Sequence, residues 1–172
     1  MSKGYVEELA LRYYQKKGYL VTQNIPFQLK KSETGKKVSG WTDIDLLAIN
    51  QKEMLIIQCK SFLGTTKAEE SSKALINWFE ITKKFLSKDD QWKAWVDKRI
   101  VKRVLVIDCR TPKTEKLLQD EGVDIVRYSE IVKELFRELA DETKYVKEDD
   151  IILRFMSALV YSGIVQPEQF LK

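Results

Sequence analysis

Two apolar runs, DIDLLAI over residues 43–49 and MLIIQCK over residues 54–60, are separated only by the polar NQKE, a spacing that predicts a tight β-hairpin. With the turn centred between Gln51 and Lys52, Ile49 faces Met54, Leu47 faces Ile56, Asp45 faces Gln58 and Asp43 faces Lys60. Side chains alternate along a strand, so Asp43, Asp45, Gln58 and Lys60 are expected on one side, with Ile44, Leu46, Ile57 and Cys59 on the other. Apolar pairs on both faces, Leu47 with Ile56 and Leu46 with Ile57, imply that both faces are covered and that the polar cluster lies at the margin of a core. Charge in such a place is costly unless compensated. Directly opposed Cβ atoms lie roughly 4.5–5.5 Å apart, close enough for Asp45 and Gln58 to share a cation. Their oxygens, with the main-chain carbonyl of Cys59, are hard ligands suited to Mg²⁺ or Mn²⁺. Lys60 beside them is placed to orient or help deprotonate a water, which completes a toolkit for hydrolysing a phosphodiester.

Composition removes the main competing chemistries. The 172 residues contain no histidine, so His-based triads and His-ligated metals are excluded and any catalysis falls to carboxylates and lysine. With 44% hydrophobic and 33% charged residues the chain can bury a real core in one compact domain. No stretch approaches the roughly 18 apolar residues of a membrane span, and the opening MSKGYVEEL lacks a signal-peptide core, so a cytoplasmic protein without membrane contact is expected. Cys59 and Cys109, each inside an apolar run, read as reduced core residues. A net charge of +4 is compatible with a polyanionic partner without demanding one.

Around the hairpin the periodicity gives an order of elements. YVEELALRYYQKK over residues 5–17 has the spacing of an amphipathic helix, with Gly18 placed to end it. Residues 19–29 read as an extended segment broken at Pro26, followed by the polar loop KKSETGKK. Beyond the hairpin, residues 68–86 form a helix with Leu75, Phe79, Thr82 and Leu86 on one face, and residues 102–109 a buried strand. TPKTEKLLQDEG is then a short helix, VDIVRY a strand, and residues 129–140 a helix that Ser129 can cap. EDDIILRFMSALVYSG closes the chain as a helix with acids at its start and Gly163 at its end.

Asp45 followed by Gln58-Cys59-Lys60 across a short hairpin, downstream of a Glu-bearing first helix, resembles the PD-(D/E)xK nuclease superfamily in the Q-x-K variant of Mrr-like restriction endonucleases. "GWTDIDLLAI" and "LIIQCKSF" carry the resemblance most strongly. The helix "VEELALRYYQKKGY" and the stretch "TPKTEKLLQDEGVDIVRYSEIVKEL" extend it more weakly. The resemblance implies a restriction-endonuclease-like α/β fold, a mixed central β-sheet flanked by helices with an αβββαβ core. It makes residues 1–138 a nuclease-like domain, with residues 139–172 a C-terminal helical extension packed on it. Asp45 takes the place of the metal ligand, Gln58 the position usually held by Glu or Asp, Lys60 that of the catalytic lysine, and Glu7, preferred to Glu8, that of the first-helix carboxylate. The proline usual before the first acid is absent, and Asp43 matches no required position.

The function implied is a divalent-metal-dependent endonuclease acting on DNA. Lys30, Lys31, Lys36 and Lys37, just before the catalytic-type strand, are candidates for phosphate contacts. Each residue also has an ordinary explanation: Asp43 and Lys60 as a solvated ion pair, Glu7 as a helix-start acid, the lysines as a polar turn, Trp78 as core. Trp92 and Trp95 stand among Lys93, Lys98 and Arg99 and are open between core and nucleic-acid contact; Asp108 reads as a structural strand-end acid. Two alternatives stand beside the main reading. One is a structure-selective nuclease of the Holliday-junction resolvase kind. The other is a catalytically silent nucleic-acid-binding module, kept open by Gln58, which brings no negative charge. The final helix is a candidate for packing on the domain or for a homodimer contact. Because the chain has no room for a target-reading domain, it is expected to act with a separate recognition partner or to recognise shape.

Overall fold

The computed structural model describes residues 4–30, 32, 39–61, 67–108, 111–141, 150–166 and 169. The first helix, α1 (Tyr5–Lys16), buries Val6, Leu9, Ala10 and Tyr14 and stops where Gly18 turns with φ 83°, a left-handed value that glycine adopts without steric cost. Three antiparallel strands follow, β1 (Leu20–Leu29), β2 (Gly40–Ile49) and β3 (Glu53–Cys59). Asn50 closes the β2–β3 turn by accepting the Lys52 and Glu53 amides on its Oδ1, at 2.8 and 2.9 Å.

Helices α2 (Ala68–Leu86) and α3 (Lys93–Val96) cross to β4 (Ile100–Val106), and α4 (Pro112–Asp120) to β5 (Val123–Val126). β4 lies parallel to β3, and β5 parallel to β4. The sheet runs β1-β2-β3-β4-β5, antiparallel in its first half and parallel in its second. Then come α5 (Tyr128–Asp141) and α6 (Ile151–Tyr161). This is the expected α/β architecture: a mixed sheet between helices, in the order αβββαβ.

Helix α2 buries Leu75, Phe79, Thr82 and Leu86, the face its spacing predicts, and with α4 it covers one side of the sheet around Leu47, Ile56 and Leu105. Helices α1, α5 and α6 cover the other side around Leu46, Ala48, Ile57 and Val104, and Leu153 and Met156 of α6 belong to that cluster. Asp150 caps α6 by accepting from Ile152 and Leu153, and pairs with Arg12 of α1.

Three expectations need correction. β1 is not broken at Pro26: it runs unbroken from Leu20 to Leu29, because as the edge strand it pairs only with β2 and a proline there need not interrupt the ladder. Ser129 does not cap α5; it lies within the helix, and its amide and hydroxyl both donate to Asp108, each at 2.9 Å. Finally, the two-residue alternation inverts at Asp45. Leu46 packs on the α1 side as expected, but Ile44 packs on the α2 side with Leu47. The change coincides with Asn24 in β1, whose φ of 54° is left-handed, and the ladder skips the Asn24–Asp45 level while Gln23–Leu46 and Ile25–Ile44 pair on either side.

Candidate functional site

Asp45 sits where the hairpin ladder opens. Regular pairing of β2 with β3 ends at Leu46 with Ile57, in the expected register. One level further on, the Asp45 side chain replaces the ladder: its Oδ2 accepts the Cys59 amide at 2.6 Å and Gln58 Nε2 at 2.5 Å. Both Asp45 and Gln58 are buried, at 7% and 6% exposure. Burial is the main reason the Asp45 carboxyl is pushed up to about 6; the Cys59 amide and the Lys60 charge pull it back, while Glu7 and Asp43 push it further up. A carboxylate in this position holds a proton or a cation readily. The Cys59 thiol, free and buried, is likewise raised by desolvation and by the Asp45 charge.

Lys60 follows directly, its backbone amide anchored to the Val106 carbonyl at 2.9 Å. It lines a cleft of about 330 Å³ together with Gly4, Tyr5, Val6, Glu7, Cys59 and Ser61. The first turn of α1 and the end of β3 therefore bring Glu7 and Lys60 to one opening, close enough that the charges of both act on Asp45. Glu8 turns elsewhere, to Arg12 at 3.8 Å. Asp43, half-buried, contributes its charge to the same neighbourhood. Among the described residues no three Asp, Glu, Cys or His side chains converge as a metal cluster. The oxygen donors here are Asp45, the amide of Gln58 and the carbonyl of Cys59, a hard set that fits Mg²⁺ or Mn²⁺, ions that keep several waters of their own.

Other candidates lie apart. Lys30 lines a groove with Lys84 of α2 and Lys88 just beyond it; Lys31, Lys36, Lys37 and Cys109 lie outside the described residues. Trp78 is half-buried and donates to Thr42 at 3.4 Å. Trp92 packs on the α2 core. Trp95 carries the Arg99 guanidinium 4.6 Å from its ring centre, and Arg99 Nε donates to the Asn50 carbonyl at 2.6 Å, so this pair braces the hairpin turn at the far end of the sheet. The recess of about 560 Å³ beside it has no carboxylate in its lining. Asp108 is engaged by Ser129. What sequence reading missed is Tyr5, at the mouth of the cleft. Its signal was legible, an aromatic in the first turn of a helix but off its apolar stripe.

Among solved structures, the small subunit of the heterodimeric restriction endonuclease R.BspD6I is 16% identical, with 97% of this chain and 86% of that one covered at a TM-score of 0.48. A protein of unknown function, AF1548, is 14% identical over 92% of this chain and 77% of that one at a TM-score of 0.46. No curated protein matches the chain. Among the described residues no helix is long and apolar enough to cross a membrane. The model of the family described as FAM186A/B, N-terminal, matches residues 50–162, which takes in Gln58 and Lys60 but not Glu7 or Asp45. With about two-thirds of its length matched, the chain belongs to the FAM186A/B, N-terminal family.

Proposed function

We propose that this chain is a divalent-metal-dependent endonuclease that hydrolyses DNA phosphodiester bonds, with a site of the PD-(D/E)xK kind in its Mrr-like Q-x-K variant. One observation carries the reading: a buried carboxylate, Asp45, is held by Gln58 and the Cys59 amide at the open end of the hairpin, beside a cleft lined by Glu7 and Lys60. Asp45, Gln58 and the Cys59 carbonyl would hold Mg²⁺ or Mn²⁺. When bound, the ion supplies Lewis-acid stabilisation of the charge that grows on the phosphoryl oxygens. Lys60 sets a positive charge and hydrogen-bond donors beside the scissile phosphate and orients the attacking water in line with the leaving oxygen. Glu7, across the cleft, is the carboxylate placed to accept a proton from that water. The PD-(D/E)xK resemblance implies a product that carries a 5′-phosphate.

A second reading has an observation in its favour. Gln58 donates its amide to Asp45, so the pair satisfies itself without a cation, as it would in a silent nucleic-acid-binding module. Incubating supercoiled plasmid with the protein in Mg²⁺, Mn²⁺ or EDTA separates the two. The nuclease gives nicked and linear products with either ion and none with EDTA. The silent module binds DNA equally with and without the ion and leaves it intact.

A further inference from the structure

Tyr5 is 55% exposed although it opens a helix whose other face is core, and Trp41 is 73% exposed although it lies within a β-strand. Large aromatic rings are often drawn into cores, and these two stand in water at one end of the sheet. Tyr5 lies in the candidate site, and Trp41 lies four residues before Asp45 on β2. Tyr5 lines the cleft with Glu7 and Lys60, and its ring is fixed by Tyr128, centroids 5.9 Å apart at 89°.

Trp41 stands two residues before Asp43, whose charge acts on Asp45. Thr42 and Ile44 face the α2 side, the first through its bond to Trp78 and the second through its packing. Alternation therefore turns Trp41 and Asp43 to the α1 face, the face of Glu7. Trp95, the other exposed tryptophan, is different: Arg99 already covers its ring.

We propose that Tyr5, in the cleft, and Trp41, at the same end of the sheet, are base-stacking platforms, and that the favoured substrate is DNA with unpaired bases rather than intact duplex. This rests on the nuclease reading for the role of the cleft. In duplex DNA the faces of the bases are stacked away, whereas a single strand presents every base face to an aromatic ring. Lys60, which lines the cleft with Tyr5, supplies a phosphate contact that such a strand also needs.

The test is binding of a fluorescently labelled oligo-dT and of a duplex of equal length to the full chain, in EDTA and again in Ca²⁺. Tryptophan emission is followed in the same titrations with unlabelled DNA. Wild type should bind the single strand more tightly. Tyr5→Ala and Trp41→Ala should each weaken single-strand binding by roughly tenfold, the scale of one lost stacking contact, and change duplex binding by less than about threefold. Tyr5→Phe and Trp41→Phe, which keep a ring and the fold, should bind as wild type, and emission quenching by oligo-dT should be lost in Trp41→Phe alone. Equal losses on both DNAs, no loss on either, or no binding of the single strand in either buffer would overturn the proposal. Because no cleavage is read, failure of the nuclease reading is seen separately, as intact plasmid.

Discussion

Gln58 holds Asp45 across the open end of the β2–β3 ladder: its Nε2 donates to Oδ2 at 2.5 Å, and the Cys59 amide meets the same oxygen at 2.6 Å. The pair satisfies itself without a cation. On the proposed nuclease reading the neutral amide stands in for a second carboxylate, and the site should bind a cation less strongly than a two-carboxylate site would.

Replacing that amide tests the arrangement. Gln58→Glu removes a donor to a buried acid and adds a like charge beside it, which should lower apo stability by about 1–3 kcal/mol at pH 7. With Mn²⁺ the second carboxylate becomes a ligand, so the loss should be recovered and half-maximal activity should need roughly tenfold less metal. Thermal melts with and without Mn²⁺, and metal titrations of cleavage, read the two effects.

Asp45 also sets a pH dependence. Unfolded, its carboxyl releases a proton near 3.8; folded, burial holds the proton to about 6. Between these values the folded state binds more protons than the unfolded, so stability falls as pH rises from about 4 to about 6 and is then flat with respect to this group. At about 1.4 kcal/mol per pH unit the fall amounts to roughly 3 kcal/mol. A cation competes with the same proton, so Mn²⁺ affinity should rise through that window and level off above it. Urea melts of wild type and Asp45→Asn at pH 4, 5, 6 and 7 should show the extra slope in wild type alone.

Asp108 should prove structural. It accepts both the amide and the hydroxyl of Ser129 in the first turn of α5. Asp108→Ala should cost about 1–2 kcal/mol, the range of a lost helix cap, and leave cleavage per folded molecule unchanged. Chemical denaturation and cleavage assays on one preparation check this.

Asp150 joins α6 to α1, as cap for Ile152 and Leu153 and as ion partner of Arg12. Asp150→Asn keeps the cap and loses the charge, and Asp150→Ala loses both. The predicted order of stability is wild type, then Asn, then Ala, with about 1–2 kcal/mol between the last two. Thermal melts of the three proteins give the order directly.

Much of this geometry was legible in the chain. Apolar pairs on both faces of the hairpin set a register in which Leu47 meets Ile56 and Ile49 meets Met54, because a one-residue slip would turn every side chain over. Helix α2 was readable to its end residues from the spacing of Leu75, Phe79, Thr82 and Leu86. The inversion at Asp45 was not, because it coincides with the left-handed backbone of Asn24 in the neighbouring strand, and no periodicity within β2 reports it. Ser129 was misread for a related reason. A serine at a helix start is a reasonable cap, but here Asp108, 21 residues earlier, takes its amide and hydroxyl instead. The convergence of Glu7 and Lys60 on one cleft depends on how α1 packs on the sheet, and the sequence supplied it only through the family resemblance.

The central claim is that Asp45 and Lys60 are parts of one hydrolytic site. The most direct measurement is the rate of supercoiled-plasmid nicking in Mn²⁺ by wild type, Asp45→Asn and Lys60→Ala, each first shown to be folded by its thermal melt. The account predicts cleavage by wild type and a loss on the order of a hundredfold or more in each variant. Cleavage that survives both substitutions, or a folded wild type that binds DNA and never cuts it, would contradict the account.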